Sequence, residues 1–101
     1  VQSVSAQFLV SNLTSSSAIY AYKLGKILFV GGYINSAQSL SRGTNIARIG
    51  ATPFFETFDG PVNNTLTKGG RFALRTSGIL QTEETIDANQ WYSFSFVTLI
   101  R

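Results

Sequence analysis

The chain contains no cysteine, no histidine and no methionine among its 101 residues, and only two prolines. Without cysteine there is neither a disulfide staple nor a thiolate metal site, so the fold must hold by packing, and the redox compartment stays undetermined. Without histidine the commonest general base is missing, and a serine nucleophile would need lysine or a carboxylate in its place. Charge is also sparse, at 13% of residues. The formal net charge of +3 is spread over Lys23, Lys26, Arg42, Arg48, Lys68, Arg71, Arg75 and Arg101 with no block of like sign. That distribution gives a weak general attraction for anions and no basic stripe, so no nucleic-acid partner is expected. No apolar run is long enough to cross a bilayer, and the N-terminus lacks the basic-then-apolar layout of a secretory leader, so no membrane insertion is expected. A chain that opens "VQSVSAQF", without an initiator methionine, reads as a piece of a larger protein.

What is present is apolar and aromatic: 44% hydrophobic residues, with eight Phe, four Tyr and one Trp. That suffices for one domain with a real core, spanning 1–101, and not for two. The segments "SAQFLVSN", "AIYAYKL", "KILFVGGYIN", "NIARIG", "VNNTLT", "RFALRT", "ILQTEET" and the closing "WYSFSFVTLI" read as strands separated by turn signals at roughly ten-residue spacing. Helix is disfavoured in the third of these, because each of the adjacent Gly31 and Gly32 would cost about 1 kcal/mol in a helix interior; the pair instead marks a bulge or a close approach of another backbone. "LGK" reads as a tight turn and "KGG" as a hairpin turn. "TPFFETFDGP" is fenced by prolines and read as extended chain ending in a turn. About seven to nine strands without helix predict an all-β fold, a single-domain antiparallel barrel or a jelly-roll-like sandwich.

The last strand carries the most information. Tyr92, Phe94 and Phe96 share one parity with Ser93 and Ser95 between them, which marks one buried and one wet face. Beyond them Val97, Leu99 and Ile100 place apolar groups on both faces, so the second face needs a cover. In "RFALRT", Phe72 and Leu74 are expected to face inward, with Arg71, Ala73 and Arg75 outward.

The catalytic inventory is thin. Glu56 with Asp59, or Glu83 or Glu84 with Asp87, are the nearest carboxylate pairs for glycoside hydrolysis, and they read as turn and surface acids. Asp59, Asn63 and Asn64 make a poor calcium cage, so no metal and no cofactor are expected. The "NLT" and "NNT" acceptor patterns at Asn12 and Asn63 are given no function. Trp91 has the parity of the serines, so it faces away from the core at the edge of the loop holding Asp87, Asn89 and Gln90. An outward ring beside amides and a carboxylate suits a saccharide, with the ring covering sugar C–H groups while the polar groups bond hydroxyls. It equally suits a lid on the end of the fold or a subunit contact. Arg71 and Arg75 could pair with a phosphate or an acidic sugar, or serve as solvated face charges.

Taken in order, "GKILFVGGYI", "SRGTNIARIG", "TPFF", "FALRTSGIL" and "NQWYSFSFVTLI" resemble the C-terminal head domain of phage tail-tip receptor-binding proteins, nearest to those of phages of lactococci, over about residues 20 to 100. One departure is the Gly50-Ala51-Thr52 segment, which intervenes before Pro53 where related heads place Pro directly, so the following loop is expected to differ in shape. The resemblance implies a β-barrel head, separated here from its N-terminal stem, that works as a homotrimer at the virion tail tip or baseplate. It further implies attachment through that stem to other baseplate or tail-tip proteins, and binding of host cell-wall polysaccharide without cleavage. Trp91, with Asp87, Asn89, Gln90, Arg75 and Arg71, is the candidate saccharide site. The neighbouring copies of a trimer would be the cover that "VTLI" requires. A structural virion domain, a fibre cap or decoration with an assembly role only, is the alternative; a small glycan-processing enzyme is the third reading.

Overall fold

A computed structural model describes residues 1–59, 68–69 and 72–101. The described residues hold ten short strands and no helix. One sheet consists of β1 (Gln2–Ser3), β3 (Ala18–Leu24), β4 (Ile27–Asn35), β10 (Trp91–Leu99) and β7 (Lys68–Gly69), in that order. The other consists of β2 (Ala6–Phe8), β5 (Asn45–Ile49), β9 (Ile79–Thr82), β8 (Phe72–Leu74) and β6 (Thr57–Phe58). The two sheets form a sandwich, so of the two architectures the sequence left open, the closed barrel is not the one adopted. Among the described residues all pairings are antiparallel except that of β7 with β10. That exception corrects the hairpin expected at "KGG", since Lys68 and Gly69 lie beside Tyr92 and Ser93 as a parallel strand. The strand expected at "VNNTLT" lies outside the described residues.

The backbone of the first sheet is the pairing of β4 with β10, which runs from Trp91 opposite Asn35 to Leu99 opposite Ile27 without interruption. Leu24 and Ile27 also pair directly, so the β3–β4 hairpin has a two-residue loop, and Gly25 supplies the positive φ of 60° that such a loop demands. The register sets Phe94 against Gly32. A Cβ there would lie 2.9 Å from the tip of the Phe94 ring and would collide with the Ala18 carbonyl. Of the two readings of the glycine pair, close approach is therefore the one realised, and the register stays continuous through both residues.

The inner faces supply the core. Leu28, Val30, Ile34, Tyr92, Phe94 and Phe96 of the first sheet meet Ile46, Ile49, Phe72, Leu74 and Leu80 of the second. Phe94 packs tilted against Phe72 at 5.3 Å and against Phe96 at 6.5 Å between ring centroids. Phe72 and Leu74 point inward as expected, while Ala73, though of opposite parity, is fully covered. The spacing of Ile46 and Ile49 breaks strict alternation, yet both are buried, because the β5–β9 register shifts between Asn45 and Ala47. A bulge of this kind rotates the strand and lets residues of different parity reach one core.

Along β10 the inward face continues through Thr98 and Ile100. Thr98 is a hydroxyl at a core position, and it is satisfied because Thr57 Oγ1 donates to Thr98 Oγ1 at 3.0 Å, tying the edge of the second sheet to the first. At the end of the same edge strand sits Asp59, 5% exposed, whose carboxylate accepts from the Ser95 backbone while Oδ2 has no hydrogen-bond partner. Burial raises its pKa above the usual aspartate range, and the Ser95 bond opposes that only in part.

A carboxyl raised in the fold contributes fully below the unfolded pKa, and that contribution is lost as pH rises through the folded pKa. Asp59→Asn, which resembles the protonated form, should therefore raise the melting temperature at neutral pH and reduce the decline in stability between acid and neutral solution. Thermal unfolding of the two proteins across that range checks this; identical pH profiles would show that Asp59 ionises in the fold without penalty.

Candidate functional site

The turn that precedes β10 is held from below. Leu40 and Ile86 exchange backbone hydrogen bonds at 2.9 and 2.8 Å, and the Ser39 hydroxyl donates to the Ile86 carbonyl. Asn89 takes a φ of 60°, a left-handed conformation that Asn tolerates better than most residues, and its N–H donates to the Ser36 carbonyl at 2.7 Å. The Asp87 N–H donates to the Tyr92 hydroxyl at 3.0 Å, so the first inward ring of β10 anchors the loop through its polar tip. With the backbone fixed this way, the side chains of Asp87, Asn89 and Gln90 stand exposed at the surface, and Trp91 emerges half-buried beside them.

Trp91 is cross-strand from Asn35, and its diagonal neighbour on β4 is Tyr33. The two rings meet edge to face, with centroids 5.8 Å apart and planes at 67°. On the other side of β4 the Tyr33 phenol acts on that of Tyr20 on β3 and raises the Tyr20 phenol above its ordinary pKa. Three outward rings, the half-buried Trp91 and the exposed Tyr33 and Tyr20, thus run diagonally across the sheet. Gly31 and Ser95, which share a row with Tyr20, add little bulk between the rings. Tyr33 was not among the residues singled out from the sequence. Its parity with Ile27 and Phe29 places it on the outer face, but its contact with Trp91 depends on the β4–β10 register, which no local pattern specifies.

The same register organises the rest of this face. Leu24, Ile27 and Leu99 form one row and Tyr22, Phe29 and Val97 the next. Together with Tyr20 and Tyr33 they are eight large apolar side chains, each 38 to 61% exposed. The four rings alone present roughly 300 to 400 Å² at the usual size of aromatic side chains. Apolar area of that order is the size of the largest patch on an ordinary monomer, which is often functional, and Leu24, Ile27, Val97 and Leu99 enlarge it.

The outer face of the second sheet is different in kind. Arg75 just beyond β8 is hydrogen-bonded to Glu56 at 2.8 Å, to Gln81 at 3.0 Å and to Glu83, and its guanidinium lies 5.6 Å from the centre of the Phe58 ring. Gln81 in turn donates to Asn45, and Arg42 approaches Glu83 at 3.7 Å. The structure therefore brings Asp87, Asn89, Gln90 and Trp91 together and adds Tyr33, whereas Arg75 sits in a separate ionic network on the other sheet. Arg71 lies outside the described residues. Among the described residues no cluster of carboxylates could hold a metal ion, and no helix is long and apolar enough to cross a membrane.

Two facing five-stranded sheets, with β4 and β10 at the heart of the first, make an all-β sandwich, and the chain shares this fold with a solved phage head domain. Among solved structures it is similar to the crystal structure of the head domain of phage bIL170, one of the receptor-binding domains of lactococcal phages. The match has a TM-score of 0.54 and 12% sequence identity, over 97% of this chain and 99% of that one. No protein-family model and no curated protein sequence matches the chain.

Replacing Arg75 should show what its network does. Glu83 is only 13% exposed, so Arg75→Ala leaves a largely buried carboxylate with only the exposed Arg42, 3.7 Å away, and should cost about 1 to 2 kcal/mol of stability, read by denaturant titration. A loss under half a kcal/mol would mean that the arginine is a solvated surface charge.

Proposed function

We propose that this domain is the adhesive head of a phage tail, binding host cell-wall saccharide without cleaving it, and that it works as a homotrimer at the tail tip or baseplate. The observation that carries this reading is the fold shared from end to end with a phage receptor-binding head. The surface supports it chemically. Trp91 and Tyr33 offer apolar ring surface for sugar C–H groups, and Asp87, Asn89 and Gln90, exposed on a turn pinned by three backbone hydrogen bonds, offer acceptors and donors for hydroxyls. A fixed backbone matters here because ordering a loop on binding subtracts from affinity. The absence of histidine and cysteine from the whole chain favours binding over catalysis.

The outer face of the first sheet supports the oligomeric part of this reading. Val97 is 61% and Leu99 46% exposed in the single chain, in line with Tyr22, Phe29, Leu24 and Ile27. A neighbouring copy is the cover that makes such a face compatible with water, and three copies about an axis close the contact without leaving an open edge. Trp91 lies on the same face as these rows, so the saccharide would sit where one subunit approaches the next.

The same apolar face supports the second reading, a structural virion domain in which Trp91 serves assembly only. Saccharide separates the two. Titration with host cell-wall polysaccharide should change Trp91 fluorescence, and Trp91→Ala should weaken binding by about 1 to 3 kcal/mol while leaving assembly intact. Unchanged affinity in a correctly assembled variant would remove the ring from the site, and no response to any wall saccharide would favour the structural role.

A further inference from the structure

Arg48 stands apart from the other described arginines. Arg42 and Arg75 are engaged by Glu83 and Glu56, and Arg101 lies 5.9 Å from the centre of the Phe54 ring. Arg48 is exposed on the outer face of β5 with no carboxylate partner. The chain's five carboxylates all fall between Glu56 and Asp87, and none lies on β2 or β5. Among the described residues no ion pair involves Arg48.

Directly across from Arg48 on β2 is Gln7, and the two residues share a pocket of about 110 Å³ with Ser5, Ala6 and Gly50. The pocket exists because Gly50 follows β5 without a side chain: a Cβ there would run into Ser5 Oγ, and the Gly50 N–H donates to the Ser5 carbonyl at 2.8 Å. Arg48, Gln7 and Ser5 are the polar side chains among the residues that line it.

We propose that this groove between β2 and β5 is a phosphoryl-binding site anchored by Arg48. A guanidinium fork bonds two oxygens of an anion at once. The Gln7 amide and the Ser5 hydroxyl are two further donors for the three terminal oxygens of a phosphoryl group, whose higher charge favours it over a singly charged carboxylate beside a guanidinium. The ligand is a phosphate carried on a small polyol or saccharide, or free phosphate, which presents the same oxygens. The site is on the sheet opposite Trp91 and does not depend on the role proposed for that ring.

The test uses the whole chain, following the backbone amides of Gln7, Arg48 and Gly50 by NMR during titration with inorganic phosphate, glycerol phosphate and, at equal ionic strength, acetate. Saturable shifts confined to these amides are expected for both phosphates, with acetate at least tenfold weaker. Arg48→Gln should weaken phosphate binding at least tenfold. Arg48→Lys, which keeps the charge and loses the fork, should weaken it severalfold, and Trp91→Ala should leave it unchanged. Response to inorganic phosphate but not to glycerol phosphate would support the site and assign it to the free ion. Equal response to acetate, shifts that survive Arg48→Gln in a folded protein, or no saturable shift would each overturn the proposal.

Discussion

The uninterrupted pairing of β4 with β10 is the constraint from which the rest of the molecule follows. It seats the Phe94 ring over Gly32 at the centre of the core, and no larger residue fits at that glycine. It also determines what lies outside. The same register that buries Tyr92, Phe94 and Phe96 aligns Leu99 with Ile27 and Val97 with Phe29, and it brings Trp91 diagonally against Tyr33. Slipping it by one residue would exchange the two faces of β10 and place serines in the core.

The two sheets then divide the work. The second sheet solves its exposure to water with side-chain chemistry, through Arg75 with Glu56 and Glu83 and Gln81 with Asn45, and sets Arg48 opposite Gln7 at the far edge. The first sheet leaves its outer face apolar, which is costly in water for a lone chain and favourable once a like surface covers it. In the trimer proposed above, the apolar face would pack against neighbouring copies and the polar face of the second sheet would stay in water.

Much of this was legible in the sequence because strand alternation is a local signal. The inward parity of Tyr92, Phe94 and Phe96 and the outward parity of Trp91 are read from neighbouring residues, as is the conflict at "VTLI", where apolar groups stand on both faces. The turn at Asp87–Gln90 was legible for the same reason. What could not be read were features set by residues distant in sequence. Tyr33 meets Trp91 only through the β4–β10 register, and Ile46 and Ile49 share the core only through a bulge against β9. The partners of Arg75 come from residues 19 positions before it and 8 after it. The parallel placement of Lys68–Gly69 against β10 overrode a turn signal that was sound locally.

The central claim is that a copy of the chain covers the outer face of the first sheet, and the mass of the protein in solution tests it most directly. Sedimentation at micromolar concentration should give three times the 11.0 kDa of one chain, and Val97→Lys, which puts a charge in the middle of the face, should lower that mass to the single chain without unfolding it. A monomeric parent protein, or a trimer indifferent to that lysine, would contradict the account.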